Sequence, residues 1–203
     1  MKKILFLMFL ICAVISVHAQ KDAQAKQILD KASAAFSKAG GVEIGFSVKG
    51  ANSVNGTLKL RGNKFCLFTP ASTTWYDGRT QWTYLKSSEE VNVSTPTAAQ
   101  LQQLNPQAWL HSYKKGFNYK YGGISGKSYK IVLTPEKNTQ GMKNILLMLN
   151  STTYAPTQVV ITQNNGQVST ITINSYRTNQ NYNDATFRFN PKAYPNAEMI
   201  DLR

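Results

Sequence analysis

The sequence predicts a mainly β protein with some α: an antiparallel barrel or sandwich of about eleven or twelve strands, preceded by one helix and interrupted by a short helical insertion. Three observations carry this. Apolar and polar residues alternate through 54–93, the period of a half-buried strand. Turn signals break the alternation at Gly62-Asn63, Asp77-Gly78 and Ser87-Ser88, at the short intervals of hairpin-linked strands. Helical periodicity is confined to 21–39 and 97–113.

Residues 1–19 read as a secretory leader rather than as part of the fold. Lys2 and Lys3 supply the positive start, the apolar run follows, and Val17-His18-Ala19 is a small-residue cleavage site before Gln20. The run is short for a membrane span and lacks a stop-transfer flank. Leu10 and Ile11 before Cys12 do not suit a lipidated cysteine, so Cys12 belongs to the removed peptide. Residues 20–203 are then expected to form one domain with a sizeable core.

The mature chain opens with an amphipathic helix over 21–39, with Ala25, Ile28, Leu29, Ala32, Phe36 and Ala39 on one face. Gly40-Gly41 ends it. Strands are expected over 42–48, 54–60, 64–69, 73–77, 80–85 and 89–93. One face of these is expected to carry Leu58, Leu60, Phe65, Leu67, Trp82 and Tyr84. Thr95 then caps a short helix with Pro96 in its first turn, and Asn105-Pro106 opens a second that ends at Gly116. An insertion of this kind between strands reads as a lid. Strands resume over 117–121, 129–134, 144–149, 158–163, 168–176 and 185–189, with a hairpin at Asn164-Asn165-Gly166. The 144–149 run is apolar on both faces and is expected to be covered on both sides. Met199 and Ile200 form a last closing strand.

Chemistry-bearing clusters are missing from the sequence. Of two cysteines and two histidines, Cys66 and His111 remain after the leader, so neither an internal disulfide nor a histidine-based metal or catalytic cluster is expected. Glu89 and Glu90 are adjacent and point to opposite faces of a strand, so they cannot act on one bond together. No phosphate loop, nucleophile elbow or paired-cysteine motif occurs. The expectation is therefore no enzyme, no catalytic residue, no metal and no cofactor. The formal net charge of +13 is spread along the chain rather than gathered in a run, which argues for a solvated basic surface and against a nucleic-acid site.

The stretches G-T-L-K-L-R-G-N-K-F at 56–65, W-Y-D-G-R-T-Q-W-T-Y at 75–84 and E-E-V-N-V at 89–93 resemble the periplasmic outer-membrane lipoprotein carriers, the LolA-like family. Those carry an R-P-x-x-F-x-W strand, a D-G-x-x-x-W-x-Y hairpin and a following Q-V strand. Y-K-I-V-L-T-P-E at 129–136 and F-R-F-N-P-K-A-Y-P-N-A-E-M-I-D at 187–201 resemble later parts of the same pattern. The resemblance implies an incomplete, strongly curved antiparallel barrel with helices closing its concave side. It implies periplasmic location and acylated lipoproteins as cargo. The cargo would be taken from an inner-membrane ABC-type transporter and delivered to an outer-membrane acceptor or the membrane surface. It puts the family's lid-contacting arginine at Arg61 and its sensitive phenylalanine at Phe65. Gly62 stands where the family has proline, and Leu67 or Phe68 where it has tryptophan.

On this reading Phe46, Leu58, Leu60, Phe65, Leu67, Trp82 and Tyr84 line a lipid-binding cavity and Arg61 contacts the lid, in a monomer. For each apolar residue the alternative is plain core packing, and for Arg61 an exposed strand-end charge. A second reading is an envelope-stress sensing or lipid-binding module of the same fold that binds a membrane partner without shuttling. Free-lipid binding and a hydrolase stand behind these.

Overall fold

The computed structural model describes residues 22–50, 53–97, 100–101, 113, 116–137 and 141–203. The expected leader and most of the expected lid therefore lie outside the described residues. The described residues open with helix α1, Ala23–Lys38. Asp22 is its cap, and Oδ1 accepts from the backbone N–H of Gln24 at 2.8 Å and of Ala25 at 3.0 Å. Ala39 and Gly40 stop the helix, Gly40 with the positive φ of 64° that glycine tolerates. Its buried face is Ala25, Ile28, Leu29, Ala32 and Phe36, as the spacing predicts.

Twelve strands follow among the described residues: β1 Gly41–Lys49, β2 Val54–Arg61, β3 Lys64–Phe68, β4 Ser72–Tyr76, β5 Gln81–Leu85, β6 Glu90–Ser94, β7 Phe117–Ser125, β8 Ser128–Pro135, β9 Met142–Asn150, β10 Pro156–Gln163, β11 Val168–Gln180 and β12 Glu198–Asp201. They make one sheet in the order β12-β6-β5-β4-β3-β2-β1-β11-β10-β9-β8-β7. Every neighbouring pair is antiparallel except β12 with β6, which is parallel. The end strands β12 and β7 do not pair with each other, so the sheet is open.

The sheet must curl. Flat, β4 and β7 would lie eight strand spacings apart, roughly 38 Å at ~4.8 Å each. Yet Tyr76 on β4, the buried face of α1 and Tyr119 on β7 belong to one buried cluster. A 16-residue helix is only about 24 Å long, so the sheet bends round it. Asp22 fixes the near edge: its N–H donates to the Tyr119 carbonyl at 3.1 Å, and its Oδ2 accepts from the Tyr121 N–H at 3.2 Å. These backbone bonds hold the Asp22 carboxyl below its ordinary range, the Ala25 N–H contributing most and Tyr121 next. They also occupy part of the unpaired edge of β7, which would otherwise invite another strand.

Three expectations change. Residues 185–189 are not a strand. Asn183 caps a 3-10 turn at Asp184–Phe187, its Oδ1 accepting from Thr186 N–H, and a second 3-10 turn follows at Pro191–Ala193. Phe187 and Phe189 are both buried against the sheet surface as the chain crosses it to reach β12. The strand at 144–149 is present as β9, but its second face is not fully covered. Ile145, Leu147 and Leu149 are buried in the main core, whereas Leu146 and Met148 are half-buried and belong to neither buried cluster. The insertion starts two residues later than expected. Thr97, not Thr95, pairs with Gln100: Thr97 N–H donates to Gln100 Oε1 at 2.8 Å and Gln100 N–H to Thr97 Oγ1 at 3.4 Å.

Candidate functional site

The inner face of the sheet, the one under α1, is built by register. Ile44 opposes Leu58, Val42 opposes Leu60, Leu60 opposes Phe65 and Leu58 opposes Leu67. Leu58, Leu60 and Phe65 are buried, Phe65 completely, and the Phe65 ring lies 5.4 Å from that of Tyr76. Phe46 and Leu67 are half-buried and pack against the same core. Phe46 lies across Gly56 of β2, where an added Cβ would sit 2.4 Å from its ring, so the glycine is what admits the phenylalanine. Five of the seven expected lining residues thus share one apolar surface.

Trp82 and Tyr84 are on the other side. The inner-face set runs from Phe65 and Leu67 to Tyr76 and Thr74 on β4, then to Gln81 and Thr83 on β5. Trp82 instead opposes Trp75 and Val93, and Tyr84 opposes Val91. They join Trp75, Val91, Val93 and Phe189 in a second cluster, together with Cys66, Tyr194 and Ala197. Residues after β11 cover this outer cluster; the Tyr194 ring lies 4.6 Å from Tyr84 and 5.7 Å from Trp75. Burial there pushes the Cys66 thiol up to about 11. On the inner face, β5 is mostly polar: Thr74 and Thr83 hydroxyls meet at 3.3 Å, Gln81 Nε2 donates to Thr83 Oγ1, Gln81 Oε1 is buried without a partner among the described residues, and Leu85, the third residue of that face, belongs to neither cluster. The apolar lining therefore ends near β4.

Arg61 also differs from expectation. It lies on the outer face, where its guanidinium donates to the Tyr182 carbonyl and the Asp184 carboxylate and sits over the Phe187 ring. Lys64 Nζ reaches the same Asp184 oxygen at 2.9 Å. Its described contacts pin the C-terminal crossover, not a lid over the inner face. The insertion is tied down elsewhere. Tyr113 is completely buried, and its hydroxyl donates to Asp30 Oδ1 on α1 at 2.5 Å. Burial first, and then the Asp30 carboxylate, push the Tyr113 hydroxyl well above its ordinary range. Leu101 packs on the main core.

Between α1 and the turn joining β9 to β10 opens a cleft of about 360 Å³. Ala32, Ala35 and Phe36 of α1 line one side, and Tyr154, Pro156 and Tyr176 the other. Ala32 and Phe36 also belong to the main core, so the floor of the cleft is the packed core itself, and none of the seven expected lining residues borders it. Among the described residues no group of three or more His, Cys, Asp or Glu could hold a metal. No described helix is long and apolar enough to cross a membrane. What the arrangement offers is apolar space beside a helix on an open sheet. The family described as outer membrane lipoprotein carrier protein LolA matches residues 15–167, three quarters of the chain.

The chain belongs to the LolA family.

Comparison with curated proteins returns no match. Among solved structures, an uncharacterized conserved protein from Thermus thermophilus is similar at 13% identity and a TM-score of 0.64, over 88% of this chain and 99% of that one. That shows the same fold. A LolA superfamily protein from Nitrosomonas europaea matches at 12% identity and a TM-score of 0.42, over 81% and 97% of the two chains. MucB of Pseudomonas aeruginosa, solved in complex with MucA, matches at 13% identity and a TM-score of 0.47, over 84% and 62%.

The sequence reading missed Tyr113, Tyr154 and Tyr176. Tyr113 ends a stretch read simply as a short helix, and nothing local marks its hydroxyl as bound for α1. Tyr154 follows a polar turn, where aromatic residues usually carry no structural signal. Tyr176 was inside an expected strand, and only the register with Ile44 shows that it faces inward.

Proposed function

We propose that this LolA-family chain is an exported periplasmic carrier. It shields the acyl chains of lipoproteins between α1 and the inner sheet face, and moves them from an inner-membrane ABC-type transporter to an acceptor at the outer membrane. It works as a cleaved, monomeric binder with no reaction of its own, the leader being removed near Ala19. The observation that carries this reading is the cleft beside α1, floored by the core residues Ala32 and Phe36 of an open sheet. Its volume of about 360 Å³ lies within the ~300–1,000 Å³ of ligand pockets. Each acyl methylene removed from water is worth about 0.8 kcal/mol, so a long chain does not cross an aqueous compartment at a useful rate without such shelter. An apolar lining gives grip without directional bonds, so release needs only that the cover move.

The test is release. The purified mature protein, added to spheroplasts, is expected to draw lipoproteins into the soluble fraction and to co-purify with triacylated protein. A protein that releases none is not a carrier. A pull-down that returns a membrane-bound signalling protein in place of lipoproteins assigns the fold to the sensing reading instead.

A further inference from the structure

We propose that the cleft between α1 and the β9–β10 turn is a port for a single saturated acyl chain of a lipid anchor, and that Tyr154 is its outer wall. The inference rests on the carrier reading and says where one chain enters. It starts from a backbone conformation. Tyr154 has φ of 59°, a left-handed geometry that is unfavourable for an L-residue with a bulky side chain and that glycine adopts freely. The turn itself does not require a ring there. Tyr154 N–H donates to the Asn150 carbonyl at 2.9 Å, Asn150 N–H to the Ala155 carbonyl at 2.8 Å, and Asn150 Oδ1 accepts from Thr152 and Thr153 N–H. All of these bonds are to backbone or to Asn150, and glycine at 154 would keep them.

The side chain is what the strain retains. The Tyr154 ring stacks 6.0 Å from that of Tyr129 on β8, and Lys31 Nζ of α1 lies 5.5 Å above it. The ring thereby spans from sheet to helix at the mouth of the cleft. Behind it, Ala32 and Ala35 give a floor of small residues, and Tyr176 of β11 gives the facing wall. The Tyr176 hydroxyl has no hydrogen bond to a described residue, and burial alone pushes it up to about 12, so it is a neutral donor open to an ester carbonyl. Among the described residues lining the cleft none is acidic, Thr153 and Thr178 add hydroxyls, and Lys31 puts an ammonium at its rim. Apolar floor, aromatic walls and a cationic lip match one hydrocarbon chain with its polar end outward. About 360 Å³ is near the bottom of the pocket range and suits one chain rather than three.

Three variants of the full mature protein test it: Tyr154→Gly, Tyr154→Phe and Ala35→Trp, the last at an exposed position that would plug the cleft without touching the turn. Each is assayed for binding of a fluorescent palmitoyl probe and for lipoprotein release from spheroplasts. Tyr154→Gly and Ala35→Trp are expected to lose at least tenfold in probe affinity. Tyr154→Phe keeps it, and the thermal midpoint of Tyr154→Gly holds or rises because strain is relieved. If wild type binds the probe and releases lipoproteins while both Tyr154→Gly and Ala35→Trp bind as wild type, the port is wrong and the carrier reading stands. If wild type neither binds nor releases, the carrier reading itself has failed. A Tyr154→Gly variant that melts lower yet binds normally makes the ring mere packing and overturns the proposal.

Discussion

Replacing Tyr113 with phenylalanine removes one hydroxyl from the join between the insertion and α1 and leaves the rest in place. The ring is completely buried and meets Tyr119 edge-on at 5.7 Å, contacts that phenylalanine keeps. What goes is the 2.5 Å hydrogen bond to the Asp30 carboxylate. Hydrogen bonds to charged groups contribute about 1.5–3 kcal/mol. Asp30 is 36% exposed and still has Lys26 Nζ at 2.6 Å, so its carboxylate rehydrates rather than standing bare. The loss therefore falls near the lower end, about 1.5 kcal/mol, which for a chain of this size lowers the melting midpoint by about 3–6 °C. The pH dependence gives an independent check. The folded-state pKa of the Tyr113 hydroxyl is raised above its ordinary 10.0, so its contribution is fully present below pH 10 and is lost as pH rises past 10 towards the folded value. Thermal or urea unfolding followed by circular dichroism should show a constant gap between wild type and Tyr113→Phe at neutral pH that narrows above pH 10. Equal midpoints at neutral pH, or a gap that persists unchanged into strong alkali, would refute the reasoning.

Phe65→Ala should destabilise by about 3–5 kcal/mol, since a completely buried ring leaves a cavity, and urea titration reads it directly. Trp82→Ala, on the outer face, should leave acyl-probe binding unchanged while exposing the segment after residue 181 to faster proteolysis; lost binding would put Trp82 back on the inner face. Arg61→Ala should cost no more than about 1 kcal/mol, because Asp184 is 65% exposed and keeps Lys64, and lipoprotein release should continue at the wild-type rate. A selective loss of release in a folded Arg61→Ala protein would restore its lid role. Cys66, shifted from 9.0 to about 11, should be alkylated at pH 8 roughly a hundredfold more slowly than an unperturbed thiol. Labelling at the free-thiol rate would show that the crossover does not cover it.

Much of this fold was legible because antiparallel hairpins are local. The alternation and turn residues place each of β1 to β6 within about two residues, and the apolar stripe of α1 is the buried face. Asp22 stands at the start of the helical stretch, where a cap is local, but its reach to β7 needs a partner a hundred residues away. Thr95-Pro96 outweighed Thr97 because proline is the louder signal, although only Thr97 has a glutamine three residues on. The Phe-Arg-Phe alternation at 187–189 mimics a strand because two aromatic residues facing a sheet from a crossing segment have the same spacing as two on one strand face.

Sequence alone determined that the chain makes strands, where most of them turn, that one amphipathic helix precedes them, and to which family the pattern belongs. The tertiary structure decided which face each residue occupies and what lies over it. Side-chain direction in a strand has a period of two, so the faces of β3, β4 and β5 depend on how each pair sits in register, and a pattern that leaves register free leaves the face free. That is why Trp82 and Tyr84 moved to the outside while Phe65 stayed within. Likewise, the guanidinium of Arg61 found its carboxylate at Asp184 only because the last segment crosses the outer surface to lie beside β6, a pairing between distant residues that no local spacing encodes.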